Sequence, residues 1–246
     1  EAFVTEFDND RIVPLPNPVF YIETRQNEDL QAVPYDITVH PDFQRFIGYA
    51  DLSQGKLDPE LPVSGPNYHP DPELLGSPSE WGLQGPTDIS WNDQELWVSD
   101  LNNNRVLRFS TKIANLEETG TEIFTATQVL GQVDFIYDHP NRVDGRSILK
   151  PQDIALVNTG QSAHLVTADS GAHRVLVHTL VDRASNGASA DAETLRGQNS
   201  LFDYRFNQNN GDDNGDGFRN PMGVDIDPIS NRVAVSDYSN NRIVVY

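Results

Sequence analysis

The chain contains no cysteine, a single methionine, and too few basic side chains to balance its acids: 17 Lys+Arg stand against 37 Asp+Glu in 246 residues. The missing cysteines exclude disulfides and thiolate metal sites. A formal charge of −20 and a pI near 4.4 repel phosphate backbones and anionic headgroups, which argues against nucleic acid or an acidic lipid surface as a partner. No apolar run approaches the ~18 residues a membrane-spanning helix requires, so membrane insertion by a helix is not expected. No Gly-x-Ser-x-Gly, phosphate loop, dinucleotide fingerprint or His-Glu-x-x-His occurs either, and so the common hydrolase, nucleotide and zinc-protease signatures are missing.

What is present is repetition. Val233-Ala-Val-Ser-Asp237 is followed by four turn-forming residues and then by Arg242-Ile-Val-Val. The same phrase occurs as Leu96-Trp-Val-Ser-Asp100 before Arg105-Val-Leu, and as Leu165-Val-Thr-Ala-Asp169 before Arg174-Val-Leu-Val. Weaker copies place Glu6 before Arg11 and Asp51 before Lys56. In all five, an acid precedes a base by five residues at the end of a short β-branched run. Runs of that length bounded by Asn, Asp and Gly predict strands joined in hairpins. Upstream of four of the pairs a proline opens a further strand, at Pro34, Pro86, Pro151 and Pro221. Proline is tolerated at a strand's first position because no ladder donor is needed there. Downstream, Gln128-Val-Leu-Gly131-Gln132 and Thr194-Leu-Arg-Gly197-Gln198 read as a fourth strand. Each unit is thus about four antiparallel strands, the content of one propeller blade.

The proline-opened strand, the apolar run closed by Asp, the turn and the Arg-Ile/Val restart together resemble the NHL repeat, and the Gly-Gln pair resembles bacterial members of that family. The resemblance implies an all-β NHL-type β-propeller with about five blades visible of six. The blades fall roughly at 1–33, 34–84, 85–149, 150–218 and 219–246 of a single domain. The first unit lacks an opening strand and the last a closing one, and the chain begins with Glu1, so a piece of a longer protein is expected. Acidic, cysteine-free composition suits an exported protein: extracellular, cell-surface or periplasmic.

Successive acids of the pairs are 45, 49, 69 and 68 residues apart, so the later units carry longer loops, where binding usually resides. Three groups of candidates follow. The acid–base pairs Glu6/Arg11, Asp51/Lys56, Asp100/Arg105, Asp169/Arg174 and Asp237/Arg242 are expected to brace their units. Asp212-x-Asn214-x-Asp216-Gly217 alternates oxygen ligands before a glycine, as a calcium loop does, against the plainer reading of a solvated polar loop. No Glu stands at the twelfth position of an EF-hand, which is Gly223. Asp36, Asp88 and Asp153 share one place, the third residue from the proline of the innermost strand, and could ring a channel mouth around a cation. The favoured reading is that each caps its own turn. The six histidines lack metal spacing and Trp81, Trp91 and Trp97 suit blade packing. The functional expectation is a non-catalytic module that binds a protein or surface partner, with calcium as the one cofactor in view. The alternative is a calcium- or zinc-dependent hydrolase or lyase with its site at the channel mouth.

Overall fold

The computed structural model describes residues 2–6, 11–15, 47–48, 78, 80, 82–91, 95–110, 126–158, 163–180, 191–192, 194–209, 216–227 and 229–246. Among these there is no α-helix, and four antiparallel sheets account for the regular structure. The first holds β1 (Ala2–Glu6), β2 (Arg11–Leu15) and β3 (Ile47–Gly48). The second holds β4 (Pro86–Trp91), β5 (Glu95–Asp100), β6 (Arg105–Ser110) and β7 (Ala126–Leu130). The third holds β8 (Pro151–Asn158), β9 (Ala163–Asp169), β10 (Arg174–Leu180) and β11 (Thr194–Arg196). The fourth holds β12 (Pro221–Ile226), β13 (Val233–Asp237) and β14 (Arg242–Val245). In the second and third sheets the strands run in sequence order from inner to outer. Ile47–Gly48, which the sequence assigns to the second repeat, pairs instead with Ile12 and Arg11 of β2.

The sheets are stacked by their alternation. Residues of β5 point by turns to opposite faces, so Leu96 and Val98 join Leu107, Phe109 and Val129 on one side. Trp97 joins Val106 and Leu130 on the other, where they meet Ile154, Leu165 and Leu176 of the third sheet. The opposite face of that sheet, with Val166, Ala168 and Val175, packs against Val224 and Val235 of the fourth and against Phe218 just before it. Burying each such side chain contributes about 1.5–3 kcal/mol, and these shared cores hold one sheet to the next. The first strands of neighbouring sheets lie side by side, β1 by β4, β4 by β8 and β8 by β12. The far face of the fourth sheet is uncovered among the described residues, with Ile243 at 74% exposure where the equivalent Val106 and Val175 are buried.

The turns explain the five-residue acid–base spacing. After Asp169 and Asp237 comes a single 3₁₀ turn, and the residue just before each arginine is left-handed: Asn104 (φ 53°), His173 (φ 55°) and Asn241 (φ 51°). Asparagine tolerates that conformation best among residues with a side chain, which accounts for the Asn-rich turns. The inner strands open with a bulge between Pro86 and Asp88, Pro151 and Ile154, and Pro221 and Gly223, which frees the residues there from the ladder.

Candidate functional site

The acid–base pairs are brought together wherever their side chains are described. Arg105 Nε lies 2.7 Å from Asp100 Oδ2, Arg174 Nε 2.6 Å from Asp169 Oδ2, and Arg242 Nε 2.7 Å from Asp237 Oδ2. The first two pairs are wholly excluded from solvent. The second carboxylate oxygen accepts a backbone N–H from two residues before the proline: Gln84, Leu149 and Arg219 at 2.6–2.7 Å. The guanidinium forks then reach outward. Arg105 donates to the carbonyls of Phe135 and Gly82, and Arg174 to those of Leu201 and Ser147. One charge pair therefore ties together the entry to the first strand, the central hairpin and the segment beyond the fourth strand. Glu6 lies opposite Arg11 at the end of the β1–β2 ladder. Asp51 and Lys56 fall outside the described residues.

A second clamp comes from the Gly-Gln pair. Gln132 Nε2 donates to the carbonyls of Asn103, Asn104 and His139 at 3.0–3.2 Å. Gln198 Nε2 does the same with Ala172, His173 and Arg205 at 2.9–3.2 Å. The preceding glycines are obligatory. Gly131 (φ 93°) and Gly197 (φ 87°) are left-handed, and a Cβ would collide with Ile148 in the first case and with the Phe218 ring in the second.

The inner-strand carboxylates form a relay between sheets. Asp88 Oδ2 accepts the Ile154 N–H of the next sheet at 2.9 Å, and Asp153 Oδ2 accepts the Val224 N–H of the sheet after that at 2.7 Å. Asp153 Oδ1 also takes the N–H of its own neighbour Ile154 at 3.1 Å. The bonds are thus not confined to each residue's own turn. Burial, together with the neighbouring Asp153 carboxylate, pushes the Asp88 carboxyl up to about 8. Ser90 Oγ extends the seam by accepting the Leu156 N–H at 3.0 Å. The relay ends at Gly223, where an added Cβ would stand 2.8 Å from Ser236 Oγ and 3.4 Å from Asp153 Oδ2. Asp36 lies outside the described residues.

Asp212 and Asn214 also lie outside them, while Asp216 is described and exposed. Among the described residues no group of three or more His, Asp or Glu side chains is disposed to hold a metal ion. His178, on β10, is fully buried, and among the described residues neither ring nitrogen is hydrogen-bonded. Burial, reinforced by Arg174 and opposed by Asp191, pulls it down to about 4. Sequence reasoning points to the long loops of the later units but names no site residue within 199–208, where Asn199, Asp203, Tyr204, Arg205 and Gln208 line, with Gln198, a cleft of about 330 Å³. The signal available was the run Phe202-Asp-Tyr204-Arg-Phe206, whose aromatics are all exposed.

No family model matches the chain, and no curated protein does. Among solved structures, a candidate phosphatase from Bacteroides thetaiotaomicron superposes over 99% of this chain with a TM-score of 0.53 and 14% identity. The chain spans 44% of that protein's length. At such identity the likeness is one of fold alone. Auxiliary nutrient binding proteins from Bacteroides thetaiotaomicron and Bacteroides ovatus align with 64% of this chain at 19% and 17% identity. They are covered over 36% and 37% of their own lengths, with a TM-score of 0.38 in both cases, too low to carry an argument. Among the described residues no helix is long and apolar enough to cross a membrane.

Proposed function

We propose that this chain is a non-catalytic binding module on an NHL-type β-propeller scaffold, acting outside the cytoplasm on a protein or surface partner. The observation that carries the reading is the engagement of the repeated charges. Asp100, Asp169 and Asp237 are each bound by an arginine and a backbone N–H, and Asp88 and Asp153 reach across to backbone N–H groups of the following sheets. Groups so bound brace a frame, whereas an enzyme needs convergent side chains with a face open to substrate. The outer loops are left for recognition, as is usual in repeat folds. The four-stranded meanders, with their first strands side by side, support the propeller form. Calcium on Asp212, Asn214 and Asp216 belongs to the same proposal as a brace of the loop before β12.

A second reading has one observation in its favour. Asp88 holds a proton at neutral pH beside Asp153, the arrangement of a general acid next to a carboxylate, and the superposed Bacteroides protein is a candidate phosphatase. The two readings separate in an assay of p-nitrophenyl phosphate and p-nitrophenyl ester hydrolysis with calcium, zinc or magnesium. The binding-module reading expects no turnover. Turnover abolished by Asp88→Asn, in a protein that still melts cooperatively, would establish the enzyme instead.

A further inference from the structure

The second and third sheets use the same glutamine in the same place and differ at one atom. Both amide nitrogens are surrounded by three carbonyls, which fixes the orientation of the amides. The Gln132 oxygen is satisfied: Asn141 Nδ2 donates to Oε1 at 2.7 Å and to the Gly131 carbonyl at 2.9 Å. The Gln198 oxygen is not, since its Oε1 is buried and has no hydrogen-bond partner among the described residues. An asparagine does stand at the same distance along the chain, Asn207, nine residues after Gln198 as Asn141 is after Gln132. It has been diverted. Asn207 adopts φ 49°, and its amide exchanges two hydrogen bonds with Asn240 at 3.2 and 2.7 Å. The acceptor that one repeat closes internally is left open in the next, and a buried acceptor without a partner calls for an explanation.

Gln198 is 7% exposed and lines the cleft of about 330 Å³ together with Asn199, Asp203, Tyr204, Arg205 and Gln208. That volume is at the small end of ligand sites. The lining mixes donors and acceptors: amides from Asn199 and Gln208, a guanidinium from Arg205, a carboxylate from Asp203 and the phenol of Tyr204. Tyr204 is 56% exposed, and Phe202 and Phe206 stand exposed on either side of it in sequence. Exposed aromatic rings beside polar groups suit a ligand with one apolar face and a polar edge. The unpaired Gln198 oxygen is closed to solvent, so it gains a donor only from a ligand whose entry shifts the side chains over it. A formal charge of −20 on the chain disfavours an anion. A neutral sugar meets each requirement, because its hydroxyls donate and accept while its C–H face lies on an aromatic ring.

We infer that the cleft beside Gln198 is a binding site for a neutral saccharide, with a ligand hydroxyl completing the Gln198 amide, Asp203 and Arg205 holding neighbouring hydroxyls, and Tyr204 carrying the sugar face. This rests on the binding-module reading and adds the ligand class to it. The test is a two-dimensional NMR titration of the whole chain with glucose, galactose, mannose, N-acetylglucosamine, maltose and cellobiose. Inorganic phosphate and lysine serve as charged competitors. At least one saccharide is expected to move the Gln198 side-chain NH₂ resonances and the amides of residues 199–205, at up to about 50 mM for so small a ligand. Tyr204→Ala is expected to weaken that saccharide at least tenfold while leaving the melting temperature unchanged, since the ring is exposed. Arg205→Ala, at another exposed side chain, provides an independent second variant with the same expectation. The proposal is overturned if no saccharide perturbs the site, if phosphate or lysine binds there in preference, or if saccharide affinity survives both variants. A null result with sugars leaves the hydrolysis assay untouched, so failure here and failure of the non-catalytic reading remain separable.

Discussion

Replacing Arg174 by alanine removes the centre of the best-enclosed brace in the third sheet. The side chain has no solvent exposure, and it donates to Asp169 Oδ2 at 2.6 Å, to the Leu201 carbonyl at 2.6 Å, and to the Ser147 carbonyl and hydroxyl at 2.9 and 3.3 Å. Truncation strands a buried carboxylate and two carbonyls, and breaking a buried pair from one side costs about 3–5 kcal/mol. At about 2–4 °C per kcal/mol for a chain of this size, the melting temperature should fall by roughly 6–20 °C. Lysine at 174 keeps the charge but not the planar fork, and should recover only part of the loss. Arg146→Ala is the internal control. Arg146 also pairs with an aspartate, Asp191 at 2.8 Å, but both side chains are more than 60% exposed, so its loss should leave the melting temperature within error. Thermal melts by circular dichroism decide the matter. A shift under about 3 °C for Arg174→Ala, or equal shifts for the two variants, would refute the idea that the buried pairs hold each repeat together.

Three further outcomes are expected. The Asp88 carboxyl, raised from its ordinary 3.8 to about 8 by burial and Asp153, contributes stability that is full below pH ~4 and is lost as pH rises to 8; melting temperature should therefore decline between about pH 5 and 8 and level off above, and Asp88→Asn, which keeps the neutral form, should flatten that decline. His178 acts in the opposite sense: lowered to about 4 by burial and Arg174, it costs stability as pH falls from 6.5 toward 4, by up to ~3 kcal/mol, and His178→Leu should remove this acid sensitivity in urea unfolding curves taken at pH 7 and pH 4.5. Gly197→Ala, placing a Cβ on a left-handed residue against the Phe218 ring, should destabilise by more than ~1–3 kcal/mol in urea unfolding, while alanine at the exposed Asn199 should not.

Much of this frame can be read from the chain because its governing interactions are local. The acid and base of each pair are five residues apart, and the turn between them fixes their encounter; the glycine before Gln132 and before Gln198 is visible as a repeated word. The carboxylate relay is legible only in part. That Asp88 and Asp153 share a place in the repeat is a sequence fact, but the reach of each to the next sheet's N–H, 66 and 71 residues away, depends on how the strands are stacked. The open oxygen of Gln198 is less accessible still. Both glutamines are followed nine residues later by asparagine, and only the diversion of Asn207 toward Asn240 distinguishes them. His178 illustrates the same limit, since an apolar strand pattern predicts its burial but not the absence of a partner for either nitrogen.

The central claim, that the repeated charges brace a binding scaffold rather than assemble a catalytic centre, is tested most directly at Asp88 and Asp153. Crystals soaked in calcium and in zinc, with anomalous data collected for each metal, would locate any ion beside them. The account predicts no ion between these carboxylates, with Asp88 on the Ile154 N–H and Asp153 on the Val224 N–H as described. A metal held by both, with an open coordination position facing a cleft, would contradict it and make the inner strands the active site.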